Sequence, residues 1–309
     1  MNQELQPTAK QELTPTERAI AKAKQQLGQN RMPLVPSLKL QNKGSTAVEG
    51  VKEGEFFVTW REKKDDGKFE DVAVALGAHP EIVILQRLYS YSWYRKESAG
   101  KPGRLMAWTN EIESFWPEKP DGTPQTVYLM VNPDNASAPH VEFRGNYQEF
   151  KSHKEANYKD RDGDNLLKFK NVLYVYLDVP GHDDKKVFRF FIGNSSVTGV
   201  PDGAKTGDYK NPEPQSLLSF IAGLQSSEPN VFFGTKCRLG SRLKSGGIEY
   251  YLTTFDKVGP VENLDLMADY YMKLGSYLTM REAQEFESAP TKATEVRKTA
   301  QQELDEVDL

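Results

Sequence analysis

Residues 86–96 read QRLYSYSWYRK, four aromatic rings and three cations in eleven positions. In an extended chain alternate side chains point to opposite faces. Arg87, Tyr89, Tyr91, Trp93 and Arg95 then form one row, three rings with a guanidinium at each end. Flat rings stack on unpaired nucleobases for roughly 1–3 kcal/mol per base, and guanidinium groups neutralise phosphates and release counter-ions. The same row can also be a core stripe whose arginines reach solvent at its ends. The opposite row, Leu88, Ser90, Ser92 and Tyr94, is the less apolar of the two, which favours burial of the rings.

A second constellation lies in residues 231–255. Lys236, Arg238, Arg242 and Lys244 share one parity around Gly240, and Cys237, Leu239, Ser241 and Leu243 share the other. A two-residue turn at Gly246-Gly247 would pair Ser245 with Ile248 and set Arg242 opposite Tyr251. The basic face would then also carry Tyr251, Thr253 and Phe255; a slip of one residue would bring Tyr250 there instead. A glycine at 240 would let a polymer approach the strand. The competing reading is a solvated edge with counter-ions.

Signals for catalysis are sparse. His79, His140, His153 and His182 form no paired-ligand spacing, and no Gly-rich phosphate loop or nucleophile elbow is present. Asp160, Asp162 and Asp164 have the alternate spacing of a calcium loop, but Asn165 and Asn171 stand where that loop needs Gly and Glu, so a solvent-facing acidic turn is expected. Asp183 with Lys185, and Asp202 with Lys205, are fragments of what a metal-dependent nuclease would need. The expectation is a protein that is not an enzyme and needs no cofactor or metal, with a nuclease as the least favoured alternative.

These rows need strands to hold them. Between about 45 and 260, short runs rich in Val, Tyr and Phe alternate with Gly, Pro, Asp and Asn clusters. Strands are expected at 54–62, 71–75, 82–95, 104–109, 126–131, 167–179, 187–192, 231–244 and 248–256, with a hairpin turn through Asp66-Gly67. Helices are expected at 14–27, behind a Thr14-Pro15-Thr16-Glu17 cap, at 214–226, and after Pro260. The spacing gives an α+β, mainly β chain, an elaborated OB-like barrel or sandwich with an N-terminal helix and C-terminal helices. Its parts are a polar arm with a helix (1–31), a β-rich nucleic-acid-binding core (32–260), a helical segment (261–289) and a flexible acidic tail (290–309).

The 309 residues are 38% hydrophobic and 27% charged, ordinary for a globular protein. Cys237 is the single cysteine, which fits a reducing, cytoplasmic setting. The first residues, MNQELQPTAKQEL, lack a basic-then-apolar leader. No apolar run approaches the roughly 20 residues that cross a bilayer. Net charge is −4, yet from Glu282 onward eight acids face three bases, leaving 37 bases against 36 acids for the rest. Overall acidity therefore resides in the tail and says little about local basic patches.

The chain ends ELDEVDL. A β-rich body with cation-and-aromatic strands at 87–95 and 236–255, followed by the tip Asp305-Glu306-Val307-Asp308-Leu309, resembles the phage-type single-stranded DNA-binding proteins. That resemblance is architectural and implies an OB-fold core and a C-terminal acidic tail. The family's tails usually end in an aromatic residue, whereas this one ends in Leu309. The expected function is sequence-independent binding of single-stranded DNA in replication, recombination or repair. Arg87, Tyr89, Tyr91, Trp93, Arg95, Lys236, Arg238, Arg242, Lys244 and Tyr251 would contact the nucleic acid. Asp305, Glu306, Asp308 and Leu309 would occupy the basic groove or dock on replication or recombination partners. The sequence does not set the oligomeric state. The alternative is a structural or assembly protein of a phage or mobile element.

Overall fold

A computed structural model describes residues 35–64, 67–95, 103–132, 140–200, 212–224, 232–244 and 249–288, with side chains to 281 in the last segment. These belong to one compact unit, Val35–Leu309. The strands are β1 (Ser37–Leu40), β2 (Phe56–Lys63), β3 (Phe69–Gly77), β4 (Glu81–Arg95), β5 (Arg104–Thr109), β6 (Val127–Val131), β7 (His140–Gly145), β8 (Lys168–Tyr176), β9 (Val187–Ile192), β10 (Thr235–Lys244) and β11 (Tyr250–Pro260). The helices are α1 (Tyr147–Asn157), α2 (Asn194–Thr198), α3 (Leu217–Ala222) and α4 (Leu264–Ser288).

All eleven strands join one mixed sheet in the order β3-β2-β1-β9-β8-β4-β5-β6-β7, with the β10–β11 hairpin attached to β4. The β1–β9 pair is parallel and the other pairs are antiparallel. The mainly β reading holds, but the described strands do not close into a barrel: β3, β7 and β11 remain edges. The branch point is β4. At about 3.3 Å per residue, its 15 residues are long enough to share one edge among three partners. β10 pairs at residues 81–83, Ile112 bridges Tyr89, and β5 pairs at residues 92–95, while β8 occupies the other edge.

One register step orients the whole strand. Between Ile84 and Gln86 the β4–β8 pairing gains a residue on β4. An inserted residue flips the parity that follows. Ile82 and Ile84 before the step therefore share a face with Tyr89 and Tyr91 after it. That face carries two cores. One joins Ile82, Ile84, Leu173, Val175, Phe188 and Phe190 to Cys237, Leu239 and Phe255. The other joins Tyr89 and Tyr91 to Ile112, Leu129, Phe150, Tyr158 and Leu167. On the opposite face α4 lays Met267 and Leu274 against Val83, Leu85, Leu88, Val172 and Tyr174. The helical segment after 260 thus shares the sheet's core.

The hairpin at 63–69 forms as the sequence indicates. Lys63 pairs with Phe69, Lys64 N–H donates to the Lys68 carbonyl, and Gly67 takes φ +80°. Sequence reading takes 32–41, which holds β1, only as a Pro-punctuated extended stretch, and it misses β7, α1 and α2. The signal for α1 is present in Asn146 and Glu149, a reciprocal capping box. Asn146 Oδ1 accepts from Gln148 N and Glu149 N, and Glu149 Oε2 accepts from Asn146 N. Only Phe150 is fully buried along α1, so its periodic signal is weak. The helix expected at 214–226 shortens to Leu217–Ala222, and that expected at 14–27 lies outside the described residues.

Candidate nucleic-acid interface

The ring row on β4 faces inward, which corrects the binding role given to it. Tyr89 is 9% and Tyr91 6% exposed, and Trp93 is partly buried. Their faces are already taken by other rings. Phe115 lies 4.4 Å from Tyr89, Phe150 lies 5.3 Å from Tyr91, and Tyr158 meets Trp93 edge-on at 6.4 Å. The hydroxyls of Tyr91 and Tyr147 are 3.0 Å apart, and burial raises the Tyr91 pKa above the usual phenol range. The Tyr89 and Tyr91 rings are thus closed to a base. Arg87 is partly buried and bonded to Asn171; Arg95 is exposed at the strand end. The cause is non-local: α1 and the loop between β5 and β6 cover this row.

The basic row on β10 does not form one open face either. Lys236 pairs with Glu262 at 2.6 Å and Arg238 with Glu81 at 2.8 Å. Arg242 Nη2 donates to the Val200 carbonyl at 2.8 Å, and Lys244 is buried at 7% exposure, whereas Leu243 is exposed. The register places Lys244 opposite Tyr250, Leu243 opposite Tyr251 and Arg242 opposite Leu252. This is one residue away from a two-residue turn at Gly246-Gly247. Tyr251 N–H donates to Asn42 Oδ1, and its ring fills the space where Gly54 lacks a side chain. Gly240 is a packing glycine: a Cβ there would lie 2.7 Å from Thr254 Oγ1. α2 and the turn at 213–216 cover this end of the hairpin, through Ser196 Oγ accepting from Thr253 N–H and the Gln215 carbonyl accepting from Phe255 N–H.

Open rings and cations instead meet on the other sheet face, where β4, β8 and β9 run side by side. Tyr94 is 49% and Phe191 41% exposed. Lys170 Nζ lies 4.3 Å from the Tyr94 ring centroid and 5.2 Å from that of Phe191, and the Arg189 guanidinium lies 4.4 Å from Phe191. Such contacts contribute about 0.5–2 kcal/mol each, depending on exposure. Strand geometry builds the cluster. Ser92 pairs with Lys168 and Ser90 with Lys170, while Val172 pairs with Phe191 and Tyr174 with Arg189. Burial, and secondarily repulsion from Arg189, lowers the Lys170 pKa to about 8.

A buried ion cluster anchors Arg189. Arg189 Nη2 pairs with Glu111, whose side chain is 7% exposed. Arg281 Nη1 of α4 approaches the same carboxylate at 3.5 Å, and Tyr174 Oη donates to it at 2.7 Å. Burial, reinforced by the Glu111 charge, lifts the Tyr174 phenol well above its ordinary pKa. Both guanidinium groups meet this one carboxylate, and Arg281 Nη1 also donates to Tyr174 Oη at 3.0 Å. None of Tyr94, Lys170, Arg189, Phe191 and Glu111 stands out in the sequence as a candidate. The signal was available in alternate positions: Lys168-x-Lys170 on β8 and Arg189-x-Phe191 on β9.

Elsewhere, Trp116 is 69% exposed on an ordered loop. Gln125 fixes that loop: its Oε1 accepts from Glu113 N and Ser114 N, and its Nε2 donates to the Ser114 carbonyl. A cavity of about 250 Å³ is lined by Ser195, Glu213, Gln215, Arg242 and Thr254, among others. In the acidic turn, Asp160 Oδ1 accepts from Asp162 N and Asp164 N, each at 2.9 Å. Among the described residues no group of three or more His, Cys, Asp or Glu side chains could hold a metal ion, and no helix is long and apolar enough to cross a membrane. The tail residues Asp305, Glu306, Asp308 and Leu309 lie outside the described residues. No family model, curated protein or solved structure matches the chain.

Proposed function

We propose that the protein binds single-stranded nucleic acid without reading its sequence, on the sheet face that carries Tyr94, Lys170, Arg189 and Phe191. The observation that carries this reading is the position of Lys170 Nζ between two exposed rings, with Arg189 over the second. Rings on a sheet accept unstacked bases, and cations beside them meet the phosphates; every base has a π-face, so the surface is blind to sequence. The resemblance to phage-type single-stranded DNA-binding proteins supports the same reading, with replication, recombination or repair as its setting. In this reading the acidic tip competes for the cationic face or docks on replication proteins, and an open sheet does the work of an OB-like barrel.

One observation favours a second reading, assembly with protein partners. Trp116 is exposed, two and five residues before Glu118 and Asp121, on a loop that Gln125 braces by hydrogen bonds. Exposed, pre-ordered tryptophan is typical of protein interfaces. Anisotropy of labelled oligo-dT over a salt series separates the two. Single-strand binding should weaken linearly on a log–log plot, with a slope of about −0.7 per phosphate neutralised. Absence of saturable binding at low salt would overturn the first reading.

A further inference from the structure

Arg87 is a partly buried guanidinium to which no carboxylate among the described residues is paired. Arg61, Arg189, Arg238 and Arg281 each reach an acid. Arg87 instead directs Nε and Nη2 to one neutral acceptor, Asn171 Oδ1, at 2.9 and 2.7 Å. It lies 4.9 Å from the Tyr89 ring centroid and opposite Leu173 in the β4–β8 register. Among the described residues these are its polar and ring contacts, so Nη1 has no acceptor. Asn171 is fully buried, and its Nδ2 is also without a partner. The locality is therefore cationic, rich in donors and short of acceptors. A partly desolvated charge without a counter-ion is unfavourable, and an anion that accepts several hydrogen bonds relieves it. Burial lowers the Arg87 pKa, consistent with that environment.

We propose that Arg87, oriented by Asn171, is the seat of a phosphate-type oxyanion. Asn171 holds the Nε–Nη2 edge, which leaves the Nη1 side to bind two oxygens of a tetrahedral anion in the bidentate manner of guanidinium groups. Tyr89 and Leu173 flank the seat. It lies on the sheet face opposite Lys170 and Tyr94 and stands independently of the nucleic-acid reading. The phosphate can be inorganic or part of a nucleic-acid chain; the chemistry is the same.

Thermal unfolding of the full chain tests this, comparing inorganic phosphate with chloride at equal ionic strength, and oligo-dT in chloride. The wild-type chain should gain about 2–4 °C in phosphate or in oligo-dT. A gain with inorganic phosphate alone identifies a free-phosphate seat; a gain with oligo-dT alone that depends on Arg87 identifies a backbone-phosphate seat. Arg87→Met should abolish the gain. Asn171→Asp, which gives the guanidinium an internal carboxylate, should abolish it too and keeps the test decisive if Arg87→Met does not fold. No anion-specific gain in the wild-type chain, or an equal gain in Asn171→Asp, would overturn the proposal.

Discussion

Replacing Lys170 by methionine separates what this side chain does for the fold from what it does for binding. Its ammonium lies 4.3 Å from the Tyr94 ring and 5.2 Å from the Phe191 ring. Removing those contacts costs about 0.5–2 kcal/mol. Removing a desolvated charge beside Arg189 returns a similar amount, and a thioether keeps a favourable contact with the rings. Stability should therefore move by less than about 1 kcal/mol. Binding should lose one phosphate contact: the log–log salt slope should shrink by about 0.7, with roughly 1–2 kcal/mol, or five- to thirtyfold, lost in affinity for oligo-dT. The Lys170 pKa near 8, against an ordinary 10.5, adds a pH signature. Between those values the unfolded chain binds more protons than the folded one, so Lys170's contribution to stability rises with pH. Over the same window the bound phosphate loses its cation, so affinity falls. Opposite trends in stability and affinity above pH 8, both absent from Lys170→Met, are the expected result from urea unfolding and anisotropy. Parallel pH profiles for the two proteins would refute the role given to Lys170.

Three further outcomes follow from the packing. Tyr91→Ala should cost about 3–5 kcal/mol in urea unfolding, and Tyr91→Phe about 1 kcal/mol for the lost contact with Tyr147; a neutral alanine variant would mean that this row is not core. Glu111→Gln removes the carboxylate that Arg189 and Arg281 share and should destabilise by about 3–5 kcal/mol, read as a lowered urea midpoint. Asn146→Ala opens the capping box of α1 and should cost about 0.5–2 kcal/mol, with helix loss in circular dichroism on moderate heating.

Local pattern carries the strands further than it carries the site. β5 and β9 coincide with the expected 104–109 and 187–192, because each is a short apolar run between turn residues. β7 escapes because His140–Gly145 is short and alternates charged and apolar residues after a Pro-rich stretch. The row at 87–95 shows why the site is harder. Alternation shows that Tyr89, Tyr91 and Trp93 share a side, but not which side is covered. That depends on α1 and on Ile112, both distant in sequence or in register, and on the extra residue between Ile84 and Gln86. Tyr94, on the side read as the back, is the exposed ring. Its partners Lys170 and Phe191 come from β8 and β9, so the cluster exists only once three strands are in register. The even spacing of Lys236, Arg238, Arg242 and Lys244 survives folding, but acids from Glu81 and Glu262 and the packing around Val200 answer those charges.

Ultraviolet crosslinking of oligo-dT to the full chain, with peptide mapping by mass spectrometry, tests the binding face most directly. Adducts at Tyr94, Phe191 or Lys170, competed away by unlabelled oligonucleotide and weakened by salt, are the result this account predicts. Adducts confined to β10 and β11, or none at low salt, would contradict it.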